Sequence, residues 1–329
     1  MKQARVDLGS LVLCLLLAWC VPALAQDSAA GGSDKPKTQK QEPTFRVNVR
    51  LVNVFTTVTD SHGAPIAGLS KGDFQVLEDG VPQTISVFDQ ESELPLSIVL
   101  AVDTSESTRR DADREGVSAR KFAHSIMRPA DHLAVFQVSE DIDQVTGFTA
   151  DLRVIDRGIA NLQRGAGTSL YDAIFLCSEA LITREGRKVL VLITDGGDTT
   201  SKADYNGALR RAQQAEALVY SIIVVPVAND AGRNLGGEHA LIQISKDTGG
   251  KYYYAESIEQ LDEAFRQISK ELRTQYLLGY YPNRKASESP FHRIQVQVNR
   301  QDGDGNPYQV RHRAGYYWMS AREGAVSPR

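Results

Sequence analysis

The sequence predicts an α/β domain of the doubly wound class that is inserted into a discontinuous all-β sandwich. From Leu96 to about Leu272, short apolar strand patterns alternate with helical patterns, which is typical of a sheet covered by helices on both faces. Strand patterns without helices precede this region over 44–93 and follow it over 274–319. Neither flank has enough strands to close a core alone. We therefore expect the two flanks to pack together, with the α/β domain of 94–273 between them.

The first 25 residues have the pattern of a secretory signal peptide. Two basic residues precede an apolar run that ends at Val21, and an Ala-Leu-Ala triplet at 23–25 supplies a cleavage site with small residues. The apolar run is shorter than the roughly 20 residues that a membrane-spanning helix needs. We expect cleavage before Gln26, an extracytoplasmic protein that is periplasmic or secreted, and no stable membrane insertion.

Charge and cysteine content exclude two further classes. The 329-residue chain has a formal net charge of -4 at pH 7, and the leader removes two basic residues and one acidic residue, which leaves -5. A nucleic-acid partner is not expected, because the chain has no basic excess. Cys14 and Cys20 leave with the signal peptide, so Cys177 remains alone and no internal disulfide can form. Its helical spacing with apolar neighbours predicts a buried core position.

Two segments have the composition of disordered chain. Residues 26–43 are polar and small and contain Pro and Gly, without an apolar period that could bury one face. We expect a disordered linker there. Residues 320–329 are expected to form a disordered tail.

The first β flank contains a change of phase and a hairpin signal. Apolar residues alternate from Phe45 to Leu51, and the phase then shifts from Val52 onward, which predicts a bulge or a strand that changes sheets. The Asp-Gly pair at 79–80 lies between two strand patterns and predicts a hairpin turn. In the second flank, the sequence "DGDGN" at 302–306 resembles part of a calcium loop. It lacks the closing Glu, and a hairpin turn is the preferred interpretation.

The α/β region contains five strand patterns and six helical patterns. Runs such as "KVLVLIT" and "VYSIIVVPV" are apolar on both faces, as a parallel strand between two helical layers requires. The predicted strands are 97–102, 132–138, 188–194, 219–226 and 251–255, and the predicted helices are 114–127, 151–162, 170–184, 203–217, 237–248 and 257–273.

Acidic and hydroxyl side chains follow the predicted strands. Asp103, Ser105 and Ser107 come after the strand at 97–102, Asp195 comes after the strand at 188–194, and Thr168 immediately precedes a helix. In an open parallel sheet, functional groups collect at the carboxyl ends of the strands. We therefore expect these five side chains to lie together.

Their chemistry predicts a magnesium or manganese site. All the donors are oxygens, and hydroxyls with few carboxylates favour Mg²⁺ or Mn²⁺ over a calcium site built from many carboxylates. Neutral hydroxyl ligands leave the dication only partly compensated. An acidic side chain of a partner protein could therefore complete its coordination.

At this point the sequence resembles a known family. The segments "AVDTSES", "GTSLYDAI" and "VLITDGGD" occur in this order and resemble the metal-ion-dependent adhesion site of von Willebrand factor type A domains. The resemblance covers roughly 95–273, and the flanks look like those of the related proteins frequent in acidobacteria. It implies a Rossmann-like sheet that binds protein through Asp103, Ser105, Ser107, Thr168 and Asp195 around Mg²⁺, without catalysis.

Other functions were weighed against this one. One alternative is a structural envelope scaffold whose metal site is empty or purely structural, and a metal-dependent hydrolase is another. An Asp after a strand also occurs as the nucleophile of haloacid dehalogenases, but Ser105 stands where those enzymes place a second Asp. "GAGTSL" lacks the third Gly of a dinucleotide loop, and no G-x-S-x-G motif supports a serine nucleophile.

Two polar segments were predicted to form loops that rim the site. They are 139–144 and the Gly-rich stretch 228–239, in which Arg233 and Asn234 were expected to influence the choice of partner. The six histidines show no spacing typical of metal ligands, so they were interpreted as structural or solvated. Oligomeric state is not predicted by any of these patterns.

Overall fold

The computed structural model describes residues 51–90, 93–105, 112–225, 234–283 and 289–318. The predicted signal peptide, linker and C-terminal tail lie outside these ranges, and so does Ser107.

The secondary structure of the described residues combines one mixed α/β region with strands on both sides of it. The strands are β1 (Val52–Thr59), β2 (Phe74–Glu78), β3 (Val81–Gln83), β4 (Ile85–Asp89), β5 (Leu96–Asp103), β6 (His132–Val138), β7 (Ile142–Thr149), β8 (Arg187–Thr194), β9 (Leu218–Val224), β10 (Tyr252–Ala255), β11 (Tyr276–Tyr280), β12 (Phe291–Val298), β13 (Gln309–Arg311) and β14 (Gly315–Tyr317). The helices are α1 (Ala112–Ile126), α2 (Leu152–Ala160), α3 (Leu170–Ile182), α4 (Tyr205–Ala215), α5 (Leu235–Thr248) and α6 (Ile258–Thr274). None of the helices in the described ranges has both the length and the apolar character that crossing a bilayer requires.

The central sheet has six strands in the order β10-β9-β8-β5-β6-β7. Every pairing is parallel except that of β6 with β7, which is antiparallel. The five strands and six helices predicted for this region are all present, and their ends agree within two residues. The prediction of an α/β domain with a mostly parallel sheet is confirmed.

The edge strand β7 is where the sequence prediction was wrong. Residues 139–144 were expected to form a loop, but β7 begins at Ile142, so that only the turn at 139–141 connects it to β6. The strand is largely exposed, and its pairing with β6 shifts register twice. An exposed, irregular edge strand has only a weak apolar period, which explains why the pattern did not reveal it.

The sheet is covered on both faces because successive residues of its inner strands point in opposite directions. In β5, Leu100 belongs to the cluster shared with α1, α2 and α6, whereas Val99 belongs to the cluster shared with α3, α4 and α5. All eight residues of β5 are buried. Cys177 of α3 is also fully buried, as predicted, and burial raises the pKa of its thiol.

Two antiparallel sheets accompany the α/β sheet. Their strand orders are β13-β1-β11-β4 and β14-β12-β2-β3, so each sheet combines strands from before and after the α/β region. One buried apolar cluster contains residues of both sheets, among them Val54, Val76, Leu278 and Ile294. The predicted turn at Asp79-Gly80 joins β2 to β3, and both residues have positive φ, as a tight hairpin turn of this type requires.

Helix α6 leads into strand β11 through a single residue, Gln275. This residue is fully buried, and its side-chain amide donates to Thr57 Oγ1 at 3.1 Å. One turn earlier, Glu271 accepts hydrogen bonds from the hydroxyl of Tyr220 at 2.5 Å and from Thr57 Oγ1 at 3.4 Å, and it pairs with Arg311. A single buried carboxylate therefore connects α6 with β1, β9 and β13.

Neutralising Glu271 should destabilise the fold. In Glu271→Gln the guanidinium of Arg311 loses its charge partner, and we expect a loss of about 2 kcal/mol in the free energy of unfolding. The value lies below that of a fully buried pair because a quarter of the Arg311 side chain is exposed. Thermal or urea unfolding of the variant measures it.

Glu263→Gln is the matched control, because Glu263 lies on the same helix and pairs with Arg266 at the surface. It should unfold like the parent. Equal stability of the two variants would mean that the Glu271 network does not hold α6 in place.

Candidate functional site

The candidate site lies where the chain leaves β5 and β8 in different directions. Strand β5 pairs with β6 on one side and with β8 on the other, and the pairing extends to Asp103 opposite Val138 and to Val102 opposite Ile193. The chain continues from β5 through α1 to β6, but from β8 through α4 to β9 on the opposite side. Diverging connections open a crevice at the carboxyl edge of such a sheet.

Asp103 is the most deeply buried acid of this crevice, with 2% of its surface exposed. One carboxylate oxygen accepts from the backbone N–H of Ser105 at 3.0 Å, and the other accepts from Thr194 Oγ1 at 2.7 Å. Burial raises the pKa of Asp103 and the nearby charge of Asp195 adds to that effect, while the hydrogen bonds from Thr194 and Ser105 act against it. The net direction is upward, so the ionised carboxylate is only partly compensated by the protein.

Thr194 is a functional candidate that the sequence reasoning missed. It is the fully buried last residue of β8, and its hydroxyl also accepts from the backbone N–H of Gly196 at 3.1 Å. It thereby orients Asp103 and shapes the turn after β8. The only signal available in the sequence was a hydroxyl residue at the end of an otherwise apolar strand.

Asp195 is half-buried at the start of a tight turn. Its carboxylate accepts from the backbone N–H of Gly197 at 2.9 Å, and Gly196 has a φ of +84°. The N-terminal turn of α5 packs directly on this turn, because a Cβ added to Gly237 would lie 1.7 Å from the carbonyl oxygen of Gly196. The glycines at 196 and 237 therefore let α5 approach the site closely.

Thr168 is buried in the loop before α3, which begins at Leu170 as predicted. Its backbone N–H donates to Thr199 Oγ1 at 3.0 Å, and its carbonyl oxygen accepts from the N–H of Thr199 at 2.8 Å. Two residues before the Thr168-Ser169 pair's own glycine, the N–H of Gly165 donates to the carbonyl oxygen of Thr104 at 3.1 Å. The Thr168 loop is thus tied to the loops that follow β5 and β8.

Glu140 holds the same loop from the other side, and the sequence gave no indication of this role. Its Oε2 accepts from the backbone N–H groups of Ala166 at 2.8 Å and Gly167 at 3.1 Å, while its carbonyl oxygen accepts from Ser169 Oγ at 2.9 Å. Hydrogen bonds from its own N–H and from the N–H groups of Gly167 and Ala166 lower the pKa of Glu140. The exposed carboxylate acts as a clamp on the Thr168 loop.

The residues expected to rim the site have different structural roles. Of the second predicted rim loop, 228–239, the described part begins at Asn234, and Arg233 lies outside the described residues. Asn234 is the N-cap of α5, and its Oδ1 accepts from the N–H of Gly237 at 2.9 Å. Its substitution would therefore disturb the start of α5.

A cavity of about 440 Å³ opens beside Asp103 and Ser105, between α1 and α2. Its lining is apolar at Val102 and Ile159 and charged at Glu115, and the cavity also contacts further residues of the two helices. A side chain of moderate size could enter the structure at this position.

The donor set fits a hard divalent cation. Asp103, Ser105, Thr168 and Asp195 offer carboxylate and hydroxyl oxygens from loops that hydrogen bonds tie together, and Ser107 is the one predicted ligand outside the described residues. A buried acid whose pKa is raised by burial is stabilised in its ionised form by a cation. These residues fit Mg²⁺ or Mn²⁺ chemically.

The loop at 302–306, by contrast, does not fit a cation. Asp302 accepts from the backbone N–H groups of Asp304 at 3.0 Å, Asn306 at 2.8 Å and Ser61 at 3.3 Å. Its carboxylate oxygens thus stabilise a turn, which agrees with the preferred interpretation of the sequence.

Comparison with known proteins identifies the α/β region. Residues 98–197 match the family model of the von Willebrand factor type A domain. The matched stretch contains all five predicted metal ligands and Thr194. The resemblance to this family is therefore confirmed over that part of the chain. The comparison with curated proteins finds no match.

Three solved structures illustrate the similarity in fold. An aerotolerance-related membrane protein from Bacteroides fragilis NCTC 9343 is 18% identical with a TM-score of 0.43, and the alignment covers 54% of this chain and 98% of that chain. The vWF domain of the type V pili tip protein Mfa5 from Porphyromonas gingivalis is 12% identical with a TM-score of 0.46, over 54% of this chain and 94% of that chain. The pilus adhesin SpaC from Lactobacillus rhamnosus GG is 10% identical with a TM-score of 0.46, over 78% of this chain and 49% of that chain.

Removing the Glu140 clamp should loosen the Thr168 loop without unfolding the domain. In Glu140→Ala the amides of Ala166 and Gly167 lose their acceptor, so we expect faster hydrogen–deuterium exchange in peptides covering 165–169. Asp141→Ala is the matched control, because Asp141 is the adjacent exposed acid. Identical exchange in the two variants would contradict the clamp.

Proposed function

We propose that the protein is an exported, metal-dependent protein-binding module. The observation that carries the proposal is the buried carboxylate of Asp103 at the switch point of a sheet whose sequence matches the von Willebrand factor type A domain. In this proposal, Asp103, Ser105, Ser107, Thr168 and Asp195 hold Mg²⁺ or Mn²⁺ directly or through water. An acidic side chain of the partner protein occupies the remaining coordination position.

The same proposal assigns binding, and no catalysis, to the site. Two carboxylates and three hydroxyls give a metal ion a low compensating charge, which favours capture of an anionic ligand. The cavity beside Asp103 offers room for a neighbouring side chain of the partner and would contribute to selectivity.

We further propose the domain organisation that the sequence predicted. Residues 94–273 form the von Willebrand factor type A domain, and 44–93 and 274–319 form the two parts of one β-sandwich. The strand orders support this division, because β11 lies between β1 and β4, and β12 lies beside β2. The leader at 1–25 supports an extracytoplasmic location.

The metal site is tested by thermal unfolding in chelator and in Mg²⁺. With a dissociation constant near 1 mM and metal at about 10 mM, binding to the folded state should add roughly 1.4 kcal/mol to its stability. Asp103→Asn should abolish this gain. In chelator the variant should be at least as stable as the parent, because the amide has no charge to bury.

Asp156→Asn provides the control, because Asp156 lies on α2 at the surface, where it pairs with His124. This variant should keep the full response to Mg²⁺. A parent protein that shows no shift with Mg²⁺ or Mn²⁺ would contradict the metal site and favour the alternative of a structural scaffold.

Partner binding is tested separately with a displayed library of peptides rich in Asp and Glu. Selection in Mg²⁺ should enrich peptides that the parent binds and Asp103→Asn does not, and chelator should release them. Binding that resists both chelator and Asp103→Asn would support the scaffold. Turnover of phosphoester or peptide substrates that depends on metal would support the hydrolase.

A further inference from the structure

A second group of possible metal ligands lies in the antiparallel sheets, away from the α/β sheet. Strand β12 pairs with β2, which ends at Glu78, and the turn after β2 carries Asp79. His292 lies near the start of β12, opposite Tyr316 of β14. The sequence gave no indication of this group, because more than 200 residues separate the acids from the histidine.

The three side chains direct their ligand atoms toward one another. His292 Nδ1 lies 3.0 Å from Asp79 Oδ2 and 3.4 Å from Glu78 Oε1. All the ligand atoms lie within 4.8 Å of one another. A tetrahedral zinc ion with bonds of about 2.0–2.1 Å separates its ligand atoms by roughly 3.3 Å, so the observed spacing needs little adjustment to accept an ion.

The other oxygen of each carboxylate is already used by the fold. Glu78 Oε2 accepts from the hydroxyl of Tyr280 at 2.7 Å and from that of Tyr316 at 3.1 Å, and Asp79 Oδ1 accepts from the backbone N–H of Arg293 at 2.9 Å. These bonds orient the carboxylates, so that their second oxygens face the imidazole. Hydrogen-bonded carboxylates of this kind are what a metal site requires around its ligands.

Aromatic packing orients the imidazole as well. The ring of His292 stacks on Tyr316 with centroids 5.3 Å apart, and Trp318 meets it edge-on at 6.4 Å. Only 3% of His292 is exposed, and its Nε2 has no hydrogen-bond partner among the described residues. The buried ring is therefore held by stacking with Nδ1 directed at the carboxylates, and no competing hydrogen bond draws it elsewhere.

The local charge favours a dication. Two carboxylates face one ring nitrogen, and that nitrogen can share a single proton with only one of them at a time. Glu78 is buried, so the charge on its second carboxylate oxygen is poorly solvated. A divalent ion would neutralise both acids and be neutralised by them.

We propose that Glu78, Asp79 and His292 form a second metal site, which binds Zn²⁺ or a similar divalent transition-metal ion. Imidazole nitrogen with carboxylate oxygen suits Zn²⁺, whereas the all-oxygen site at Asp103 suits Mg²⁺. The ion joins the turn after β2 to the start of β12 and so crosslinks the chain segments that precede and follow the α/β region. One coordination position is left for water or for a ligand from outside.

The test uses the full mature chain, stripped of metal with chelator and titrated with Co²⁺ as a spectroscopic probe for Zn²⁺. We expect one equivalent of Co²⁺ with visible d–d absorption, displaced by Zn²⁺ and not by Mg²⁺. Asp79→Asn should weaken binding at least tenfold, because Asn keeps an acceptor for Arg293 and tolerates the positive φ of the turn. His292→Phe preserves the stacked ring and should abolish the absorption.

Asp103→Asn serves as the control and should bind Co²⁺ like the parent, which separates this site from the proposed magnesium site. A parent that binds neither Co²⁺ nor Zn²⁺ would overturn the proposal, and so would binding that is the same in the parent, Asp79→Asn and His292→Phe. Either result would leave the group as a hydrogen-bonded ion pair.

Discussion

The parallel alignment of β5 between β6 and β8 is the constraint on which the candidate site depends. Because the three strands run in the same direction, the loops that follow them emerge at one edge of the sheet. Asp103, the turn at 139–141 and Thr194 are therefore neighbours, although long stretches of chain separate them. The Thr168 loop joins them through hydrogen bonds to Thr104 and Thr199.

The burial of Asp103 connects this geometry to the chemistry of the site. A carboxylate at the end of a central strand loses most of its solvation, and two hydrogen-bond donors offset only part of the loss. Such a group is stabilised by a proton or by a cation. Hydroxyl groups and a second acid nearby favour a hard cation, so the conditions that make the position costly for a bare acid also make it suitable for metal binding.

The antiparallel sheets place a second constraint on the molecule. Helix α6 ends one residue before β11, which pairs with both β1 and β4, and Glu271 and Gln275 contact Thr57 of β1. The last helix of the α/β region is therefore held by strands on both sides of the chain. Any displacement of α6 would have to break buried hydrogen bonds or move β11 with it.

The sequence by itself determined the period of each strand and helix, the turn at Asp79-Gly80 and the order of the metal-site motif, because these depend on neighbouring residues. It did not reveal β7, whose exposed edge position leaves little apolar pattern. Only the tertiary structure decided that Thr194 and Glu140 support the site, and that Glu78 and Asp79 meet His292. Contacts between residues far apart in the chain depend on strand pairing and packing, which no local pattern records.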